Sequence, residues 1–298
     1  MSIKKSTGEK VFGVFNTIIL VLLMIICAYP LLYVLFASFS DPYKLMQHQG
    51  LLLKPLGFTL NGYSLVLQNS EIISGFLNTL IYVIAGTSLN LLLTSMSAYV
   101  LSRKDLYFGK PLMIMVTITM FFSGGLIPFF LQVQRLHLDN TRWAIILPSA
   151  ISVWNLIVMK TSFRDIPDSL IESAKIDGAN DFTILFRIVL PVSKATLAVI
   201  GLFCAVGFWN SWFNAMIFLR DRSKYPLQLL LREILISNDT RQMMNGMPKG
   251  AGQFVKQDAY KDLIKYSTIV VSTLPILCVY PFVQKYFVKG VMIGSIKG

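Results

Sequence analysis

Six stretches of the chain contain no Asp, Glu, Lys or Arg and are mostly apolar. They are residues 11–39, 72–102, 111–134, 143–159, 195–219 and 266–284. A helix that crosses a bilayer needs about 20 predominantly apolar residues. One short stretch of this kind is often a buried helix of a soluble protein, but six in one chain are not. The pattern predicts an all-α integral membrane protein with six transmembrane helices.

The composition supports lipid as the main solvent of the chain. Of the 298 residues, 54% are hydrophobic and 14% are charged, and the mean hydropathy is +0.62. The net charge of +12 would indicate nucleic acid in a soluble domain. In a membrane protein, basic residues retained on the cytoplasmic side give the same total. We therefore expect contact with membrane lipid and none with nucleic acid.

The distribution of Lys and Arg predicts the orientation, because basic loops are retained on the cytoplasmic side. With the N-terminus inside, the cytoplasmic segments carry 14 of these residues. The outer short loops carry only Lys44, Lys54, Arg135 and Arg142. The connection 220–265 is long enough to be left out of this count. We expect a multi-pass protein of a bacterial cytoplasmic membrane with both termini cytoplasmic, whose first apolar stretch is too long for a secretory signal peptide.

The connection between the fourth and fifth stretches, residues 160–194, is too polar to cross lipid. Residues 167–191 read PDSLIESAKIDGANDFTILFRIVLP. Ser169 and Glu172 have the spacing of a capping box, and Pro167 favours a helix start. Gly178 is suited to the left-handed position that ends a helix. A short helix of about two to three turns is predicted to end at Asp177 and Gly178.

A second helix is predicted to begin at Asn180 or Asp181, whose side chains can cap it. Its apolar residues follow the i, i+3, i+4, i+7 pattern of one helix face: Phe182, Leu185, Phe186 and Val189. Pro191 marks the turn into the fifth span. Ala174 and Gly178 are small enough to admit another surface. The compact pair of helices is either a docking surface or a loop that folds back on its own bundle.

These residues resemble the EAA coupling loop of binding-protein-dependent ABC importer permeases. The matching positions are Glu172-Ser173-Ala174, Asp177-Gly178-Ala179, Phe186 and Leu190-Pro191. Ser173 replaces the usual second alanine, which exchanges one small residue for another. The run from Phe208 to Asn214, with the endings Val288-Lys289-Gly290 and Lys297-Gly298, resembles the carbohydrate branch related to the maltose permease, particularly its polysaccharide and complex-oligosaccharide group.

The resemblance implies a type I ABC importer permease fold and a single transmembrane domain over residues 1–298. It implies four kinds of chain in one complex: this permease, a second permease subunit, two ATPase subunits that use ATP and Mg, and an extracytoplasmic sugar-binding protein. This chain would be a transport subunit without cofactor, metal or catalytic residue. Residues 238–256 of the outer loop 220–265 would contact the binding protein.

The resemblance also assigns residues to the ATPase interface. The residues assigned to ATPase coupling are Glu172, Ser173, Ala174, Asp177, Gly178, Ala179, Phe182, Phe186 and Pro191. The residues assigned to a tail at the ATPase interface are Lys289, Gly290, Lys297 and Gly298.

A substrate path is predicted near Trp209, Asn210, Trp212 and Asn214. Asn210 and Asn214 would share one face of a continuous helix, where amides beside aromatic rings suit sugars. Hydrogen bonding between helices and interfacial tryptophans explain the same residues equally simply.

Other functional classes lack their usual residues. An ion-coupled carrier usually needs an ionisable group in mid-membrane, and the six stretches contain no acidic or basic residue. His48 and His137 lie in separate loops, Cys27, Cys204 and Cys278 in separate spans, and no phosphate-binding loop motif occurs. An ion-coupled secondary transporter and an ABC permease for a substrate other than a sugar remain the alternatives.

Overall fold

A computed structural model describes residues 6–237 and 253–295, and these residues are nearly all helical. In the described ranges, β pairing is limited to one isolated antiparallel bridge between Ser40 and Phe58. The helices are α1 (Thr7–Ser38), α2 (Pro42–Gln47), α3 (Asn61–Gln68), α4 (Ser70–Ser102), α5 (Gly109–Phe121), α6 (Leu126–Arg135), α7 (Trp143–Ile146), α8 (Val153–Arg164), α9 (Asp168–Ile176), α10 (Asp181–Val192), α11 (Lys194–Trp209), α12 (Phe213–Phe218), α13 (Leu227–Ser237) and α14 (Gln253–Ser295).

Three helical segments are long and apolar enough to cross a membrane unbroken. They are α1, α4 and the Ala259–Val279 part of α14. Three bent pairs pass the same test together: α5 with α6, α7 and its 3-10 extension with α8, and α10 with α11. By length and composition, the described residues therefore contain three spans, or up to six if each bent pair is one span. The boundaries of the predicted spans, like the single domain, stay predictions.

The third predicted span is interrupted at its Ser123-Gly124-Gly125 segment. α5 and α6 meet at an angle of 114°, and Gly125 before α6 has φ 84°. An L-residue with a side chain is strained in that conformation, so glycine fits the corner.

The chain divides into two compact units. The first is Met1–Asn69 with Glu233–Thr273. Its helix α1 begins with a capping box, in which Ser6 Oγ accepts from the Glu9 amide and the Glu9 carboxylate accepts from the Ser6 amide. No side chain from Val11 to Ile26 is buried, which suits a helix surrounded by lipid. The small core of this unit contains Ala37, Leu45 and Leu52.

The second unit is Ser70–Arg232 with Leu274–Gly298. Its larger core combines side chains of α4, α8, α9, α10 and α11, among them Tyr99, Met159 and Ile184. A second cluster, which includes Tyr82, Ile145 and Phe208, joins α4, α7 and α11. These two clusters fix the connection 160–194, hereafter the coupling loop, and the end of α11 to the same long helix, α4.

Candidate functional site

The first helix of the coupling loop, α9, begins two residues earlier than the capping-box spacing predicts. Pro167 is its N-cap with an extended backbone, and no side chain caps the helix. Ser169 therefore lies inside the first turn, where its carbonyl oxygen accepts from Ser173 Oγ at 2.8 Å. The predicted capping box of Ser169 and Glu172 is wrong, because the extended proline already ends the preceding segment.

The turn between α9 and α10 has the predicted geometry. Gly178 has φ 79°, and a Cβ built on it would meet no atom within 4 Å. Its amide donates to Lys175 O at 3.0 Å, and the Ala179 amide donates to Ala174 O at 2.9 Å. These two bonds satisfy carbonyls at the end of α9, which is the role of a left-handed helix terminator. The prediction that Gly178 ends this helix is confirmed.

The second helix is capped by the first of its two predicted candidates. Asn180 Oδ1 accepts from the Thr183 amide at 2.8 Å. The turn Leu185–Val189 is π-helical, and Pro191 follows in the last turn of α10, before an 86° bend into α11. Helix α10 and the turn at Pro191 therefore follow the sequence prediction.

Burial divides the coupling loop into an inner and an outer face. The inner face packs into the core of the second unit with Ile171, Ala174, Ile184, Leu185 and Val189. Ala174 is only 7% exposed, so the expectation that it admits another surface is wrong. Its small side chain lies against the bundle of its own chain.

The outer face carries apolar side chains in contact with solvent. Phe182 is 62% and Phe186 46% exposed, so they do not share the buried face of Leu185 and Val189. Ile176 is 86% exposed, although the sequence prediction omitted it. Other predicted coupling residues on the surface are Glu172, Ser173, Asp177, Gly178 and Pro191, with Ala179 half-buried. Large exposed apolar side chains on a polar segment are typical of a docking surface.

Two polar contacts fasten the coupling loop to the end of α4 and the segment after it. Tyr99 OH donates to Asp181 Oδ1 at 2.8 Å, and Lys104 Nζ donates to Asp168 Oδ2 at 2.6 Å. The hydrogen bond and the charge of the Lys104 ammonium lower the pKa of the Asp168 carboxyl. Sequence reasoning missed both contacts, since the partners are 82 and 64 residues apart.

The fifth predicted span, 195–219, is not one continuous helix. α11 ends at Trp209, Asn210 is its C-cap, and Trp212 is the N-cap of α12. The expectation that Asn210 and Asn214 share a helix face is therefore wrong. Asn210 is exposed and Asn214 half-buried. The whole interruption is called the span-five break (residues 210–212) below.

The two tryptophans beside the span-five break have different surroundings. Trp209 is 6% exposed and meets Phe76 edge-on with ring centroids 5.8 Å apart. Trp212 is half-buried, and the guanidinium carbon of Arg232 lies 4.1 Å from its ring centroid. Trp209 is therefore buried against its own chain, whereas Trp212 is partly exposed.

A cavity of about 360 Å³ lies beside the span-five break. Polar groups on its wall come from Asn90, Ser149, Ser152, Asn155, Cys204 and Ser211. Some of these groups bond to each other: Cys204 Sγ donates to Asn90 Oδ1 at 3.1 Å, and Asn155 Nδ2 donates to Cys204 Sγ at 3.3 Å. Sequence reasoning missed this cavity, because Asn90, Asn155 and Cys204 come from three different spans.

Other predicted sites lie partly outside the described residues. Lys297 and Gly298 are outside them, as are residues 238–252 of the predicted binding-protein contact. Lys289 and Gly290 belong to the backbone of α14. In the ranges 6–237 and 253–295 no group of three or more His, Cys, Asp or Glu side chains could hold a metal ion.

Comparison with known proteins gives matches over almost the whole chain. A model of the family "binding-protein-dependent transport system inner membrane component" matches residues 102–293. The polygalacturonan/rhamnogalacturonan transport system permease protein YtcP of Bacillus subtilis (strain 168) is 42% identical, over 94% of this chain and 96% of that protein.

Two solved structures are also similar. One is a bacterial ABC transporter involved in the import of the acidic polysaccharide alginate, with a TM-score of 0.87 and 30% identity over 96% of this chain and 100% of that one. The other is a bacterial alginate ABC transporter in complex with an alginate pentasaccharide-bound periplasmic protein. Its TM-score is 0.52, with 16% identity over 94% and 96% of the two chains, so it supports the fold alone.

Proposed function

Since the chain belongs to the family of binding-protein-dependent transport system inner membrane components, we propose that it is the permease subunit through which an ABC importer moves an oligosaccharide across the cytoplasmic membrane. Membership confirms the resemblance seen in the coupling loop and the permease fold. It also makes the chain a transport subunit rather than an enzyme. The substrate class rests on relatives and structural neighbours that handle polygalacturonan, rhamnogalacturonan and alginate.

The observation that carries the coupling proposal is the outer face of the coupling loop. Ile176, Phe182 and Phe186 expose apolar surface there, while the inner face is anchored in the core. A partner that covers the outer face removes this apolar area from water, which favours binding. We assign this partner as an ATPase subunit, and ATP with Mg is bound and hydrolysed there rather than in this chain.

The coupling loop then transmits the work of ATP hydrolysis. A partner can shift a permease between inward- and outward-facing states only by binding the two states with different affinity. The anchored inner face makes such a difference possible, because displacement of the loop must also displace the core side chains it packs with. A second permease subunit completes the pathway, and an extracytoplasmic sugar-binding protein delivers the oligosaccharide.

The proposed complex can be tested with purified protein. The complex is isolated from its native membrane, its other chains and the bound glycan are identified, and ATP hydrolysis and uptake are measured in liposomes. We expect two ATPase subunits, a second permease and hydrolysis stimulated by the sugar-loaded binding protein. A chain that purifies alone and transports without ATP would overturn the proposal.

A matched pair of variants tests the docking surface itself. Phe182→Ser removes an exposed ring from the coupling loop, and Phe108→Ser removes an equally exposed ring, 61% against 62%, from the connection before α5. We expect only Phe182→Ser to reduce the ATPase recovered with the permease. Equal recovery in both variants would place the ATPase contact elsewhere.

The membrane orientation proposed from the Lys and Arg distribution can be tested with reporter fusions. A reporter fused after Gly298 or within residues 103–110 should be cytoplasmic, and one within 238–256 external. An external signal from the C-terminal fusion would contradict the orientation without affecting family membership.

A further inference from the structure

The guanidinium of Arg232 lies over a ring of the span-five break, and no described residue offers it a carboxylate. It lies over the Trp212 ring, 4.1 Å from the centroid, and Arg232 Nη1 is 2.7 Å from Met216 Sδ. A thioether sulfur is a weak acceptor, and a guanidinium has five N–H donors. In the part of the chain that the structure describes, no ion pair includes Arg232.

Three other cations of the same unit have an oxygen acceptor within it. Arg142 donates to Asn78 Oδ1 at 2.9 Å, Arg222 donates to both Glu71 oxygens at 3.1 Å, and Lys224 pairs with Asp221 Oδ2 at 3.3 Å. Arg232 is half-buried, so its charge is also partly removed from water. A half-buried cation whose printed acceptor among the described residues is a thioether is suited to bind an anion that comes from outside the chain.

The chemistry and the surroundings of Arg232 select the anion. A guanidinium recognises a planar carboxylate through two parallel hydrogen bonds, and stacking on an aromatic ring fixes its orientation beforehand. Ser211, the residue before Trp212, lines the 360 Å³ cavity together with Asn90 and Asn155. That volume is in the range of pockets that hold small ligands, and its polar wall suits sugar hydroxyls.

We propose that Arg232, held by Trp212, is the residue that selects oligosaccharides bearing carboxylate groups, such as chains of uronic acids, as they reach the span-five break. This inference rests on the proposed function, since it names the substrate class of that same permease. A sugar ring lies at the polar cavity and its carboxylate accepts from Arg232.

The test uses the complete complex in liposomes with a saturating amount of its binding protein, and trigalacturonate as the probe. Arg232→Gln should lower trigalacturonate uptake roughly tenfold, the size of one lost charge-assisted hydrogen bond. Arg232→Lys keeps the charge but not the planar fork, so it should restore part of the uptake. The matched control is Arg220→Gln, which removes an exposed cation and should stay within about twofold of the parent, as surface charge alone predicts.

Two further measurements separate recognition from a structural role. Sugar-free ATP hydrolysis and the affinity for the sugar-free binding protein should be the same in Arg232→Gln and the parent. A change in either, or equal uptake by Arg232→Gln and Arg220→Gln, would overturn the inference. If Arg232→Gln fails to assemble, Arg232→Lys decides, because parental uptake by that variant also overturns it.

Failure of this inference differs from failure of the proposed function. A parental complex that imports neutral oligosaccharides but not trigalacturonate overturns the role of Arg232 alone. A parental complex that imports no saccharide at all overturns the proposed function.

Discussion

Two helix breaks in the second unit, the Gly178 turn and the span-five break, are built in different ways. The Gly178 turn combines a left-handed glycine with the side-chain cap of Asn180. The span-five break has no glycine, and Trp212 makes no capping bond with its side chain. Phe208 and Ala215 on either side of it are buried. One break is therefore determined by its own backbone and the other by the packing around it.

This difference matters for how each region can move. A turn that carries its own hydrogen bonds keeps its shape when a partner displaces it, so it can act as a rigid contact. A break held by packing changes when neighbouring helices shift, so it can respond to the state of the bundle. The substitutions below should therefore reduce activity or stability for different physical reasons.

The largest effect is expected from Gly178→Val, which attacks the backbone-determined break. A β-branched residue at φ 79° costs about 1–3 kcal/mol of backbone strain, although open space surrounds the position. We expect loss of the ATP hydrolysis that the binding protein stimulates, with the permease pair still assembled. Gly178→Asn is the control, because Asn tolerates the left-handed region, and it should retain most of the stimulation. Equal activity of the two variants would show that backbone conformation is not what matters there.

The second-largest effect is expected from Gly86→Val, which disturbs the packing of Phe208 just before the span-five break. A Cβ at Gly86 in α4 would collide with the Phe208 ring, and overpacking a core costs about 1–3 kcal/mol. We expect a lower midpoint of thermal unfolding of the complex and less uptake. Gly13→Val is the control, since nothing lies within 4 Å of its Cβ position. A Gly86→Val midpoint equal to that of Gly13→Val would contradict the packing account.

A smaller effect is expected from Tyr99→Phe, which removes one contact between the coupling loop and α4. The hydrogen bond to Asp181 should contribute about 0.5–1.5 kcal/mol. Stimulated ATP hydrolysis should fall by a few-fold while basal hydrolysis is kept. Tyr107→Phe is the matched control, because Tyr107 is 90% exposed. If both variants match the parent, the coupling loop does not depend on this attachment.

The smallest effect is expected from Asp168→Asn. Lys104 and Asp168 are both exposed, with 75% and 56% of their side-chain surface accessible, so solvent screens the pair. The pKa of Asp168 is lowered in the folded chain, so the pair contributes above the ordinary carboxyl pKa and is lost only as pH falls through the lowered value. The ratio of stimulated hydrolysis in parent and variant should stay flat from about pH 8 to pH 5.5. A ratio that changes within this range would indicate another titrating group.

The sequence predicts what local residues determine. Gly178, Asn180 and Pro191 each restrict the backbone by themselves, so the helix end, the cap and the turn follow from their identities. The Ser123-Gly124-Gly125 segment likewise indicates an interrupted third span. The apolar stretches indicate the membrane, because lipid imposes one composition along the whole length of a span.

What the sequence does not predict depends on residues distant in the chain. The segment from Phe208 to Asn214 contains neither Gly nor Pro. No local residue therefore indicates the span-five break. Ala174 is buried because it belongs to the same core cluster as Ile184, whereas its small size had suggested a position that admits another surface. The position of Arg232 over Trp212 likewise depends on the turn that brings α13 back to α12.

Helix α4 is attached to other segments near both of its ends, so it can act as a rigid connection between them. Near one end Arg222 grips the Glu71 carboxylate with two hydrogen bonds of 3.1 Å, and near the other Tyr99 holds Asp181. At about 1.5 Å per residue, roughly 40 Å of helix separates the two attachments. No proline interrupts it. A partner that displaces the coupling loop would therefore shift or tilt α4 as a whole. We expect the two ends of the helix to move together rather than one after the other.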